Sequence, residues 1–390
     1  MEPKITRLLT IFCFVFILAT GYLRAAPEPT YASKAVRVAI LQDKKEFKLA
    51  IHGKFSIHDD KDHQTLFEDR LLRKANVKVT EYGFLIGDMP YSQRKIRIIS
   101  AKDATIDIDG RRYRGEIDIL RDSNNRLLVI NIVGLEDYVK GVLYHEVSHH
   151  WLLEALKAQA VAARTYALYR MELSKNKSYD LTSDIYSQVY GGKNSERFRT
   201  NLAVDKTQGL ILTFKGKILP AYYSATCAGA TEDAAELWKE NLPPLKGVVC
   251  DYCKNSPHYF WVKNFRLKDI QDKLNARGYE LGLIETITIL ERNESGRIKT
   301  LEIKTRDGKV MNISGKDFRN IVGPNAIKSN NYAIEMKGYY MDLVGKGWGH
   351  GVGLCQWGAH FMSQARFTYE QILKYYYPGA EIVSYEAKGF

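Results

Sequence analysis

The sequence contains no low-complexity tract and no internal repeat, which excludes a solenoid or a repeat array. Past residue 23 it has no apolar run long enough to span a bilayer as a helix, which excludes a multi-span membrane protein. No recognised DNA- or RNA-binding motif is present, so nucleic acid is a poor explanation of the net charge of +12. That charge is spread along the chain and not gathered in one block. It serves solubility, or it draws the protein to a polyanion such as an anionic cell wall. Cysteine is scarce, with five in 390 residues. What remains is ample for a core: 45% of residues are hydrophobic and 12% aromatic.

The N-terminus reads as an export signal. Lys4 and Arg7 precede an apolar run from Leu8 to Leu23, followed by Arg24-Ala25-Ala26-Pro27. A basic start, a short apolar stretch and small residues near a cleavage point make a signal peptide, here residues 1–26, or an uncleaved N-terminal anchor that would hold the protein at a membrane. Cys13 lacks the small residue before it that a lipoprotein signal needs, and cleavage would remove it. The expected location is therefore the periplasm or cell envelope.

Apolar residues alternate in short runs from Val36 to Asp107 (Val36, Val38, Ile40; Phe47, Leu49, Ile51; Ile96, Ile98), which predicts a β-rich region over residues 27–107. Residues 108–390 form the expected catalytic domain. It should hold hairpins at 113–133 and 210–224, helices from 135 to 174, short helices at 265–278 and 314–321 beside strands at 285–292 and 298–305, and a helix at 368–376. Strands and helices segregate more than they alternate, so the predicted class is α+β.

His145-Glu146-Val147-Ser148-His149 carries two readings. As H-E-x-x-H it is the signature of a zinc metalloprotease, with two imidazoles one helical turn apart and a glutamate base. That reading needs one uninterrupted helix through both histidines. The apolar stripes of 135–144 and 151–168 do not align, and Ser148 can cap a second helix, so Glu146 is predicted to sit at a junction.

The flanks carry a larger pattern. Leu135-Glu136-Asp137-Tyr138-Val139-Lys140-Gly141-Val142, Glu146, and the helix around Lys157-Ala158-Gln159-Ala160-Val161-Ala162-Ala163-Arg164-Thr165-Tyr166 are followed by Ser187-Gln188-Val189-Tyr190-Gly191-Gly192. Then come Tyr223-Ser224-Ala225-Thr226-Cys227-Ala228-Gly229, Gly345 to Ala359, and Tyr375-Tyr376-Tyr377-Pro378-Gly379. In this order over about 270 residues, they resemble the SpoIID/LytB family, whose namesake is the stage II sporulation protein D. Val147 stands where the family usually has Met, and His145, His149 and His150 are atypical.

The resemblance implies a peptidoglycan lytic transglycosylase. Most glycosidases need two carboxylates. Such an enzyme can use one, because the muramic acid C6 hydroxyl replaces water as nucleophile and leaves a 1,6-anhydroMurNAc end. Glu146 matches the family's catalytic position. Lys157 and Arg164, seven apart on one helical face, match a lysine and arginine thought to line its active site, where they would hold the lactyl carboxylate. Gln188, His350 and Gln356 are candidates for binding sugar hydroxyls. No cofactor is required by this chemistry. The family also implies glycan strands stripped of stem peptides, and hence an amidase as partner. A non-catalytic glycan-binding scaffold of division or sporulation is the alternative, which intact Glu146, Lys157 and Arg164 argue against.

Four cysteines remain after the signal: Cys227, Cys250, Cys253 and Cys355. Export favours two disulfides. The C-x-x-C at 250–253 is equally a half-site for structural zinc, with His258 or His145 as substitute ligands. Some family members hold zinc, but around Ser183 to Ser187, where their ligands are expected, this chain has no cysteine. Both readings stay open at this stage.

Overall fold

A computed structural model describes residues 34–387 of the chain; the expected signal segment lies outside the described residues. The fold is α+β, as the segregation of patterns predicts.

Period-two patterning builds the N-terminal sheet. In Lys95–Ser100, Ile96 and Ile98 are fully buried while their neighbours are half-exposed, as expected of a strand with one face on a core. Strands of this kind form an 11-stranded sheet. Its central order is Ala35–Lys44, Leu127–Gly134, Glu116–Arg121, Lys95–Ser100, Glu46–Asp59, Thr65–Val79, all antiparallel. The short strand Leu181–Thr182 adds in parallel to Ala35–Lys44. The hairpin of Thr105–Ile108 with Arg111–Tyr113 runs straight through the boundary drawn at residue 107. Main-chain pairing continues across that point, so the β-rich region and the start of the expected catalytic domain share one sheet.

The strand Leu127–Gly134 runs directly into helix α1 (Leu135–Glu146). Glu136 and Asp137 lie in the first turn of α1, where carboxylates complement the helix dipole. At Val147 the backbone becomes extended (φ −140°, ψ 153°) and α1 stops. Helix α2 (Leu153–Leu173) begins six residues on, with Leu152 and not Ser148 at its cap. Ser148 instead starts a tight turn whose carbonyl accepts from the Trp151 N–H at 3.0 Å. The break between the helices is therefore longer than one capping serine would require.

Helix α2 is the central post. It is alanine-rich and buried nearly all round, with Leu156, Ala160, Ala163 and Ala167 in the core beneath the sheet, and Ala158, Val161 and Ala162 in a second core behind it. A helix with apolar residues on every face must be enclosed in this way. Helix α3 (Phe198–Lys206) packs beside it, and α4 (Ala234–Trp238) is a short turn near the cleft described below.

A third core is inserted between Tyr259 and Gly347. Helices α5 (Leu267–Asn275) and α6 (Gly315–Val322) pack on two three-stranded sheets there, close to the expected helix and strand positions. Helices α7 (Gln356–Gln364) and α8 (Tyr369–Tyr376) then return to the second core against α2. The glycine-rich segment before α7 lies close on its neighbours. A side chain on Gly349 (φ +107°) would meet Ser224, and one on Gly353 (φ +69°) would strike the Tyr222 carbonyl.

A candidate active site around Glu146

Glu146 is the last residue of α1, so its carboxyl stands at the negative end of a helix, which disfavours its charge. It faces a cleft of about 1140 Å³. Aromatic side chains dominate the walls: Tyr144, Trp151, Tyr166, Tyr186, Tyr222, Tyr223, Trp238, Trp348 and Trp357. Planar rings of this kind suit the apolar faces of sugar rings. Among the described residues that line it, Glu146 is the only carboxylate.

Burial pushes the Glu146 carboxyl up to about 7, against smaller opposing effects of the Val189 N–H, the Gln356 amide and the Tyr223 hydroxyl. The Val189 N–H donates to Oε1 at 3.4 Å, and Gln356 Nε2 donates to Oε2 at 3.5 Å. Both contacts are long. No cation is among the causes that set its protonation.

The Tyr223 hydroxyl is aimed by a buried relay. Tyr138 Oη donates to Gln188 Oε1 at 3.0 Å, and Gln188 Nε2 donates to Tyr223 Oη at 2.8 Å and to the Ala163 carbonyl at 3.3 Å. Because Tyr223 Oη accepts from Gln188, its own proton is free for Glu146. Gln188 is only 1% exposed and does not line the cleft. The expectation that it binds sugar is therefore corrected: it positions Tyr223, which no sequence pattern distinguishes from its neighbours.

His350 does line the cleft. Its Nδ1 accepts from the Val352 N–H at 3.0 Å, and its ring also hydrogen-bonds the Tyr223 backbone. Burial first, then Arg319 and Arg297, push the imidazole down to about 3, so it is neutral and carries its proton on Nε2. Gln356, the first residue of α7, reaches Glu146 directly. The structure thus brings Glu146, His350 and Gln356 together, from segments more than 200 residues apart.

Lys157 and Arg164 do not join them. Arg164 is 0% exposed and grips Glu136 with both arms, at 2.8 and 2.7 Å, while also donating to the Leu210 and Val204 carbonyls. Lys157 pairs with Glu154 at 2.7 Å beside the Tyr369 ring. The expected basic wall is corrected on both counts: Arg164 is buried against Glu136, Lys157 is tied to Glu154, and neither lines the cleft. The cations that line the cleft are Arg170, one turn beyond Tyr166 on α2 and 3.1 Å from its hydroxyl, and Arg319 from the inserted core. Arg319 is held by the Ile327, Pro324 and Lys328 carbonyls, and burial lowers it to about 10. Its distance in sequence from Glu146 gave no signal.

The metalloprotease reading fails on geometry. Because α1 ends at Glu146, His145 and His149 are not on one helix. His145 Nε2 is 2.6 Å from Ser195 Oγ, while His149 packs on Tyr144 and His150. Among the described residues, the group suited to a metal is Cys227, Cys250, Cys253 and Cys355, whose ligand atoms lie within 4.8 Å of one another. No two of them are disulfide-bonded, and neither His258 nor His145 belongs to the group.

Residues 123–214 match the family model described as stage II sporulation protein, and residues 246–353 match a domain of unknown function that overlaps the inserted core. An uncharacterized protein of Brachyspira hyodysenteriae is 33% identical over 351 residues, covering 90% of this chain and 93% of its own. The amidase enhancer of Bacillus subtilis is 30% identical over 72% of this chain and 45% of its own length. The stage II sporulation protein D of Bacillus amyloliquefaciens is 32% identical over 68% of this chain and 78% of its own length. The chain belongs to the family of stage II sporulation protein D.

Proposed function

We propose that the protein is a peptidoglycan lytic transglycosylase that cleaves the MurNAc–GlcNAc bond with Glu146 as its one acid and base. The observation that carries this reading is the lone carboxyl, raised to about 7, in an aromatic cleft whose walls hold no second carboxylate among the described residues. A hydrolase of the usual kind lacks its nucleophile or its water-activating base here. The muramic acid C6 hydroxyl removes that need. Protonated Glu146 gives its proton to the glycosidic oxygen as the C1–O bond breaks. The resulting carboxylate takes the C6 hydroxyl proton as O6 bonds to C1. The products are a GlcNAc hydroxyl and a 1,6-anhydroMurNAc end, with Glu146 reprotonated and no water consumed.

Arg170 supports a preference for strands without stem peptides. A muramic acid without its peptide carries a free lactyl carboxylate, which a guanidinium can bind with its planar fork. Arg170→Ala is expected to raise KM on denuded glycan by about tenfold, with Arg170→Lys only partly restoring it, because a charged hydrogen bond contributes about 1.5–3 kcal/mol. An unchanged KM in steady-state digestion removes Arg170 from substrate recognition. Removal of stem peptides is the work of an amidase, and the name amidase enhancer carried by the Bacillus subtilis relative fits such a partnership. The substrate lies outside the cytoplasmic membrane, which agrees with the signal-like N-terminus read from the sequence.

The acid must be protonated to act, so kcat/KM is expected to fall as pH rises through about 7. Tyr223→Phe removes a donor that favours the charged form. The alkaline limb should therefore move to higher pH while the maximal rate drops. A limb that stays put or moves down in the pH–rate profile contradicts the role given to Tyr223.

A further inference from the structure

The structure assigns a single tetrahedral zinc ion to Cys227, Cys250, Cys253 and Cys355, binding together the segments that carry the donors around Glu146. All four side chains are 0% exposed. A zinc–thiolate bond of about 2.3 Å places tetrahedral sulfurs about 3.8 Å apart. Cys227 and Cys253 stand at 3.6 Å, and no ligand pair exceeds 4.8 Å. An iron–sulfur cubane needs wider spacing, because four irons lie between its cysteines.

The surroundings fit a charged centre. Cys355 Sγ accepts from the Cys227 and Gly358 N–H groups, each at 3.3 Å, and Cys250 Sγ is 3.1 Å from Tyr376 Oη. Such hydrogen bonds stabilise ligating thiolates. Independently, Arg297 is buried to 2% exposure, and none of its hydrogen bonds or ion pairs among the described residues is to a carboxylate. Its Nη2 donates to the Cys227 carbonyl at 2.7 Å, its Nη1 to that of Ala230 at 3.1 Å, and its Nε has no partner. A buried cation without a counter-charge is costly. Four thiolates on one divalent ion carry a net charge of −2 beside it, whereas two disulfides carry none.

The position gives the ion its use. Cys355 immediately precedes Gln356, and the strand Leu354–Cys355 pairs with Tyr223–Ser224. Gln356, which hydrogen-bonds the Glu146 carboxyl, thus follows a ligand directly, and Tyr223 lies on the strand paired with that ligand's own, while Cys250 and Cys253 anchor the segment leading into the third core. The zinc is structural; no step of the proposed reaction passes through it.

The test is elemental analysis of the purified full chain together with thiol titration. About one zinc per chain is expected, with the thiols reacting only after denaturation in chelator. Glu146→Gln should keep its zinc, which separates this inference from the catalytic reading. Cys253→Ser should lose the metal. Arg297→Gln should release zinc to a competing chelator about 10–100-fold more readily, as expected for loss of a supporting contact. Thiols that appear only after reduction, iron in place of zinc, or four reactive thiols in a native metal-free protein each overturn the assignment. If Cys253→Ser does not fold, the wild-type metal content decides alone.

Discussion

Glu146→Gln is expected to lower glycan cleavage by about a thousandfold or more, within the range that acid–base groups contribute. The amide keeps the shape and can still meet the Val189 N–H, but it cannot deliver a proton. Glycan binding should remain. The same substitution should raise stability at alkaline pH. A carboxyl held near 7 in the native state and about 4.5 in the unfolded chain leaves stability intact below pH 4.5, and stability falls as pH rises through 7. The loss at pH 8 is about 2 kcal/mol once screening in the open cleft is allowed for. Denaturant titrations at pH 4.5 and pH 8 should therefore show the glutamine variant gaining only at the higher pH. Substantial residual turnover would remove Glu146 from the chemistry.

Arg164→Ala is expected to cost about 3–5 kcal/mol of stability, the usual result of removing one member of a buried pair. It leaves the Glu136 carboxylate without its bidentate partner, and strips donors from the Leu210 and Val204 carbonyls. The folded fraction should cleave glycan with ordinary KM, since Arg164 does not reach the cleft. Denaturation midpoints and KM measured side by side separate the two roles. A variant with unchanged stability and a raised KM returns Arg164 to the substrate.

Arg164 also shows where sequence reasoning stops. Its spacing from Lys157 correctly gives a shared helical face, but periodicity does not say what that face meets. Between Ala155 and Leu168 nearly every face of α2 is enclosed, so the usual inference from a basic stripe to an open surface does not hold there. The break after Glu146 was legible, because the apolar stripes on either side do not align. Its length was not, since the turn from Ser148 to Trp151 depends on main-chain hydrogen bonds. Strands such as Lys95–Ser100 were legible from alternation. The extent of their sheet was not, because strand pairing crosses the compositional boundary at 107.

The site divides in the same way. Glu146, His350 and Gln356 stand in short blocks whose residue types already suggested a cleft. Tyr223 carries no sequence signal because its neighbours are ordinary, and its role appears only with Gln188 behind it. Gln188 is a polar side chain within the Ser187–Gly192 block, and a polar group there suggests contact with substrate. It is buried instead, saturated by Tyr138, Ala163 and Tyr223. Arg170 and Arg319 reach the cleft through packing of α2 and the inserted core, which no local pattern encodes.

On the proposed reading, one carboxyl suffices because the sugar supplies its own nucleophile. Digestion of denuded and intact glycan strands, followed by mass analysis of the new ends, tests it most directly. Anhydromuramyl ends, lighter than hydrolysed ends by one water and released from denuded strands by wild type but not by Glu146→Gln, are the expected result. Reducing muramic acid ends of full hydrolytic mass, or cleavage that survives in Glu146→Gln, would contradict it.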